Sequence, residues 1–361
     1  NRYFYTNLNQ CTFDWELVTY PGPQAKSQEA FKRRSGKAKP LSLAPRQSDS
    51  LDLNLPENWQ DYDILRVTGT GPHGREIYTW TWPIRHPRQI KDRIVSDTTG
   101  KTRFSEDEEY IYLSAAGTKA RFSKENGLLQ GITRGEIAVP LRNGPRLTKA
   151  DVEFAGFEHR EENGNQVLEV NYTGDDQYHV TWTMMGNGWL KLQYGYINKG
   201  TFDYLGVTFD FPEDQVEGMQ WLGKGPYSVW KNRMKGTEFN VWQKGYNNTI
   251  TGETWEYPEF KGYHANLYWA RIATEKAPFS VVAATHDLFL HMLTPTPPRG
   301  AYNDNTAPPF PDGNLSFLHG ISAMGTKFKK PEELGPSGQK NIHEPRDETG
   351  TLRGTLYFRF E

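Results

Sequence analysis

The feature that most constrains this chain is its punctuation. Short runs in which apolar or aromatic residues alternate with polar ones are cut by glycine or proline from one end to the other. In "FDWELVTY" (13–20), "REIYTWTWPI" (75–84) and "YHVTWTMMG" (178–186) the alternation has a period of two, which places successive side chains on opposite faces of a half-buried strand. Composition supports this: 34 glycines and 23 prolines supply turns, and aromatic residues, 14% of the chain with 11 tryptophans among them, suit pleated surfaces. The expected fold is all-β, and 361 residues suffice for two domains with at least one sizeable core.

Residues 1–86 read as six or seven short strands, among them "RYFYTNL" (2–8), "LSLAP" (41–45) and "DILRVTGTG" (63–71), with the basic stretch 25–40 as an exposed loop holding one ragged strand. That density suggests an immunoglobulin-like β-sandwich. Residues 87–107 lack apolar periodicity and read as a linker. Over 108–361 at least ten further strands follow, from "EYIYLSAAG" (109–117) to "LRGTLYFRFE" (352–361), with one short helix near "KKPEELG" (329–335). They predict a large antiparallel β-sandwich without internal repeats.

Several function classes drop out. With 42 basic against 44 acidic residues the net charge is −2, which offers no field for nucleic acid or an anionic membrane, and no apolar run reaches the roughly 18 residues of a spanning helix. Cys11 is the sole cysteine, so neither an intrachain disulfide nor a thiolate metal cluster can form, and a buried strand position is expected for it. The nine histidines show no HExxH spacing. His286 and His291, five apart, would face opposite sides of a strand, so no metal or other cofactor is expected. "GTGPHG" (69–74) precedes a strand instead of opening a helix and reads as a hairpin turn, not a phosphate cradle. No GxSxG elbow occurs. Glycoside hydrolysis needs two carboxylates; Glu253, Glu256 and Glu259 are the acids nearest the aromatic zone, but their spacing is that of loop residues, and no catalytic residue is assigned.

Aromatic density is the remaining signal. From Trp221 to Trp269 there are twelve aromatic residues in forty-nine positions. Flat rings stack on pyranose faces and their polar edges hydrogen-bond to hydroxyls, which makes Trp230, Trp242, Trp255 and Tyr257 carbohydrate-binding candidates. The competing reading places the same rings in the core of the sandwich. The zone opens with "WLGKGPYSVWKNRMKG" (221–236), too punctuated for a helix. There Gly223 and Gly225 permit a tight or positive-φ backbone, Pro226 fixes the exit, and Arg233 can bind carbonyls or carboxylates.

The stretch 204–236 resembles a segment of glycoside hydrolase family 2 β-galactosidases carrying a W-x-G-x-G-P-x-x-x-Y/W-x-x-R motif, matched in order by Trp221, Gly223, Gly225, Pro226, Trp230 and Arg233. "YLSAAGTKARFSKENGLLQGI" (112–132) and "PLRNGPRLT" (140–148) resemble the opening of the same large domain, and residues 1–86 the immunoglobulin-like domain before it. The resemblance implies the C-terminal portion of such an enzyme, encoded in some members as a separate small subunit. In that family the acid/base and nucleophile glutamates lie on a barrel N-terminal to these domains. Nothing here alternates strand and helix as a barrel must, so the chain alone is expected to be inactive. Implied partners are β-galactoside-containing glycans and a catalytic barrel of the same or another chain. Where the family's large sandwich sends a loop tryptophan to the sugar site, this sequence has a short turn, "TEKAP" (274–278), and Trp269 falls inside a strand. Two alternatives stand beside this reading. One is a stand-alone carbohydrate-binding module. The other is a mutarotase-like enzyme on a galactose-mutarotase-like sandwich, with His179 or His319 as the acid. Oligomeric state stays open, and a glycan-degrading role would suit a periplasmic or extracellular location, with a cytoplasmic one also open.

Overall fold

The computed structural model describes residues 1–96, 98–174, 178–246, 261–292, 308–345 and 348–361. In the N-terminal part, β1 (Thr12–Thr19), β2 (Lys32–Lys37), β3 (Ile64–Thr70) and β4 (Glu76–Pro83) form one antiparallel sheet in the order β2-β1-β3-β4. "GTGPHG" is the expected hairpin turn, with the Gly71 N–H donating to the Arg75 carbonyl at 2.9 Å and Gly74 at φ 71°. Four strands form where six or seven are expected, because 2–8 and 41–45 stay outside the sheet. Pro40, Pro45 and Pro56 interrupt any ladder there, having no N–H to donate. Extended chain supplies the second layer instead: Leu53, Leu55 and Trp59 cover Trp15, Leu17 and Val67. Cys11 is buried immediately before β1, and burial pushes its thiol pKa up.

The stretch read as a linker holds structure. A short helix, α1 (Pro87–Ile94), begins on a proline with preset φ, and the Gln89 side chain accepts from the His86 N–H at 2.9 Å. Only Pro87 and Ile90 are buried on it, too sparse a stripe to show as a period. Its Arg93 grips the buried Asp63 through two hydrogen bonds of 2.9 and 2.8 Å.

The large unit follows with β5 (Thr102–Glu106), β6 (Tyr110–Ala115), β7 (Thr118–Ser123), β8 (Leu129–Arg134), β9 (Ile137–Val139) and β10 (Arg142–Leu147). Next come β11 (Val152–Glu162), β12 (Asn165–Gly174), β13 (His179–Met184), β14 (Leu190–Tyr196), β15 (Gly200–Phe202), β16 (Leu205–Asp210), β17 (Val216–Gly225) and β18 (Glu238–Gly245). The last six are β19 (Trp269–Thr274), β20 (Phe279–Ala283), β21 (Phe289–Met292), β22 (Leu315–Gly320), β23 (Asn341–His343) and β24 (Leu352–Phe360). The helix expected near 329–335 is a single 3-10 turn, Pro331–Leu334.

Among the described residues the strands of this unit form two nine-stranded antiparallel sheets. One runs β21-β22-β16-β10-β8-β7-β6-β5 with β9 on β8; the other runs β11-β12-β13-β14-β24-β20-β19-β17-β18. Their inner faces form one aromatic-rich core, in which Trp182 lies 5.4 Å from Phe122 and Phe358 lies 5.9 Å from Phe209, ring centre to ring centre. The chain is all-β in fact as in expectation. β20 is buried at every position because both its faces are covered: Phe279 and Val281 point between the sheets, while Val282 joins a second cluster with Val18, Tyr20, Ile64 and Ile90. That second cluster seats the small sheet and α1 on the outer face of the large one.

Candidate functional site

The 221–236 stretch forms a corner at the end of β17. Trp221 and Trp242 are directly paired across β17 and β18, so both rings lie on one face of the ladder. Neither Gly223 nor Gly225 takes a positive φ; what both supply is room. A Cβ on Gly225 would lie 2.6 Å from Trp242 Cδ1 and 2.9 Å from Trp221 Cζ2, and one on Gly223 would lie 3.0 Å from the Asn266 carbonyl oxygen. Trp221 is buried and its Nε1–H donates to the Lys224 carbonyl at 3.1 Å. Pro226 follows a cis peptide bond and turns the chain out of the strand. Arg233 then donates to the Gly325 carbonyl at 3.0 Å, one of the roles expected of it, and Asn232 exchanges two hydrogen bonds with Met324.

Trp230 does not offer itself to a sugar. It is 3% exposed and packs edge-on against Tyr263 and Phe310, each at 5.4 Å, so the core reading is the correct one for this ring. Trp269, fully buried in β19, presents no platform either. Trp255 and Tyr257 lie outside the described residues, as do Glu253, Glu256 and Glu259.

Trp242 has a different setting. It lines a cleft of about 770 Å³ between the small sheet and the large sandwich. Tyr20, Gln28, Glu29 and Arg33 come from the N-terminal side, and Gln220, Pro226 and Gln243 join Trp242 on the other. The Trp242 Nε1–H is taken by the Glu238 carbonyl at 3.2 Å, which fixes the indole, and the half-buried ring packs on the edge of the same core as Trp221 while still contributing to the cleft wall. The Gln220 amide donates to the Gln243 side chain at 3.2 Å. Tyr20 donates to Asn240 Oδ1 at 2.5 Å; burial raises its pKa, with Arg66 and Arg33 opposing, so the phenol stays protonated. The walls are tied by Arg66, 3.5 Å from Glu16 and 3.9 Å from Glu238, and by the Phe239 N–H donating to Thr81 Oγ1 at 2.6 Å.

A wall of amides, a guanidinium and a phenol with the edge of one indole suits hydroxyl-rich, partly apolar ligands such as saccharides. Glu29 is the one carboxylate among the lining residues, and glycoside hydrolysis needs a pair. Of its wall, only Trp242 and Pro226 are legible in sequence. Tyr20, Gln28, Arg33 and Gln220 carry no local signal, since the fold brings them together from about two hundred residues apart.

Among the described residues His319 has no carboxylate partner, and His179 feels Glu169 only through its charge. The His319 ring bonds Tyr196 at 2.9 Å through Nδ1 and the Arg353 carbonyl at 3.1 Å through Nε2, and burial lowers its pKa to about 4. A neutral ring with both nitrogens engaged is a structural group, and no carboxylate is among its described partners. His179 packs over Gly195, and burial and the charge of Arg353 lower its pKa too. His264 lies beside Lys244, Nε2 to Nζ 3.0 Å, and burial, with the charge of Lys261, brings Lys244 down to about 7. His286 packs on His86 while His291 is buried near Ser316. No group of three potential metal ligands occurs among the described residues.

Comparison with known proteins finds one family. The model of the beta galactosidase small chain matches residues 114–292, a span that contains the Trp221–Arg233 motif, Trp242 and Trp269. No curated protein sequence matches. Among solved structures the chain is similar to galactose 1-epimerase from Lactobacillus acidophilus NCFM, at 10% identity over 73% of this chain and 99% of that one, with a TM-score of 0.37. It is also similar to an α-N-acetylgalactosaminidase from Bifidobacterium bifidum, at 10% identity over 69% of this chain and 35% of the other, with a TM-score of 0.36.

Proposed function

We propose, from the premise that residues 114–292 are a β-galactosidase small-chain domain, that this chain is the non-catalytic C-terminal portion of a family 2 β-galactosidase. The small-chain match is the observation that carries the reading. In the intact enzyme a pair of carboxylates on a separate barrel performs retaining hydrolysis, and this portion supports the barrel and its saccharide. The cleft at Trp242 is where that support reaches the glycan: the indole takes the apolar face of a sugar ring, and Gln220, Gln243 and Arg33 take its hydroxyls. The corner at Gly223–Pro226 sets the indole's position.

The same cleft favours a second reading, a stand-alone carbohydrate-binding module. Titration of the isolated chain with galacto-oligosaccharides, followed by Trp fluorescence, separates the two. Millimolar or tighter binding that Trp242→Ala abolishes with unfolding unchanged supports a saccharide cleft under either reading. The module then holds if the chain does not associate with a β-galactosidase barrel, and the accessory portion if it does. If Trp242→Ala leaves saccharide binding intact, the assignment of the cleft is wrong.

A further inference from the structure

The outer face of the sheet that contains β6 to β10 carries a groove that the role above leaves unused. Along β7 and β8, Ala120, Phe122 and Ile132 are buried toward the core, while Lys119, Arg121 and Gln130 stand on the opposite side, as the period of two requires. β9 and the Pro140–Arg142 segment raise a wall beside them. The groove between encloses about 500 Å³, within the rough 300 to 1,000 Å³ range of small-molecule sites.

Its charge is one-sided. Lys119, Arg121 and Arg142 line it, and none of its lining residues is acidic. Neighbouring cations have carboxylate partners: Lys124 with Glu106 at 2.7 Å and Arg146 with Asp210 at 2.7 Å. Lys119 instead rests over the Tyr112 ring at 3.9 Å, and Arg121 over Tyr110 at 4.7 Å with one N–H on the Gln130 carbonyl. Asp107, which reaches Tyr112, is already occupied by the phenol at 2.6 Å and by the backbone N–H groups of Tyr110 and Glu109. Ile132 and Val139 turn into the core, so the apolar surface of the groove comes from Ala138 and Pro140, and Gln130 and Thr133 add hydrogen-bonding groups.

We propose that this groove is a second binding site, for an acidic saccharide carrying carboxylate or sulfate groups. Guanidinium forks and an ammonium take the anionic groups. The apolar surface of Ala138 and Pro140 meets the carbon face of the sugar ring, and the amide and hydroxyl take its neutral oxygens. A bare inorganic anion would leave that apolar surface and those groups without a role. The surplus of cations stands independently of the accessory role; the choice of a saccharide over another anion rests on it.

The test is calorimetric titration of the full chain with four probes: a galacturonate trimer, a sulfated galactan oligosaccharide, neutral galactotriose and poly-glutamate. At least one acidic sugar should bind more tightly than galactotriose and poly-glutamate, and which one binds identifies the anionic group. That binding should weaken on the order of tenfold or more in the Arg121→Gln, Arg142→Gln double variant and on raising salt from about 0.05 to 0.5 M. The same variant should behave as the parent toward a β-galactosidase barrel, so failure of the groove and failure of the accessory role read out separately. Equal binding of galactotriose, equal or tighter binding of poly-glutamate, no binding of either acidic sugar, or indifference to the double variant would each overturn the proposal.

Discussion

Alanine at Gly225 tests whether the corner is built around its two tryptophans. The added Cβ would sit 2.6 and 2.8 Å from Trp242 Cδ1 and Cγ and 2.9 Å from Trp221 Cζ2, all well inside van der Waals contact. Trp221 is 1% exposed and enclosed by the core, so it cannot yield. Trp242 is only half-buried and can swing toward the cleft, at the expense of its bond to the Glu238 carbonyl. Overpacking of this kind costs roughly 1 to 3 kcal/mol. Urea unfolding followed by circular dichroism should show that loss. Because the strain is relieved by removing the indole, the Gly225→Ala, Trp242→Ala double variant should cost less than the sum of the singles by on the order of 1 kcal/mol. A Gly225→Ala protein within about 0.5 kcal/mol of the parent, or strictly additive singles, would refute the packing argument.

Trp230→Ala removes a ring closed in by Tyr263 and Phe310 and should destabilise by about 3 to 5 kcal/mol in the same unfolding assay, where a sugar platform would cost little. Asp63→Ala leaves the Arg93 guanidinium without its buried partner where α1 meets the small sheet, and should cost on the order of 3 to 5 kcal/mol. His319 gives a pH signature. Its folded pKa of about 4 lies below the unfolded value near 6.5, so between these values the unfolded chain binds more protons. Its contribution is therefore intact above about pH 6.5 and lost as pH falls toward 4, by at most about 3 kcal/mol and less to the extent that water reaches the ring. His319→Gln should flatten that part of the stability profile measured from pH 7 to 4.

Alternation was legible residue by residue in β13, where Val180, Trp182 and Met184 are buried, but in β4 only the strand was legible: Thr79 is its buried residue, and Tyr78, Trp80 and Trp82 are exposed. β16 and β20, mostly apolar, were legible as strands. The short helix α1 was not legible, because one or two apolar residues suffice to dock it when a sheet already offers the complementary surface. The N-terminal strand count was too high for the opposite reason: "LSLAP" has the right residues, but prolines bound it and, among the described residues, Leu43 bonds only to the Leu8 N–H and to the Asn1 and Asn7 side chains, not to a ladder. In the aromatic zone density alone could not separate Trp230 from Trp242. Both lie near the same corner and both pack on a core; only Trp230 is closed in by Tyr263 and Phe310, while the half-buried Trp242 also reaches the cleft opposite Tyr20 and Gln28.

The account rests most heavily on this chain's supplying support and no chemistry. The direct measurement is hydrolysis of p-nitrophenyl β-galactoside by the purified chain, alone and mixed with a separately expressed family 2 β-galactosidase barrel that is inactive without its C-terminal domains. The account predicts no hydrolysis by the chain alone, and hydrolysis in the mixture that falls when Trp242 is replaced by alanine. Turnover by the chain alone, or a mixture as inactive as the barrel by itself, would contradict it.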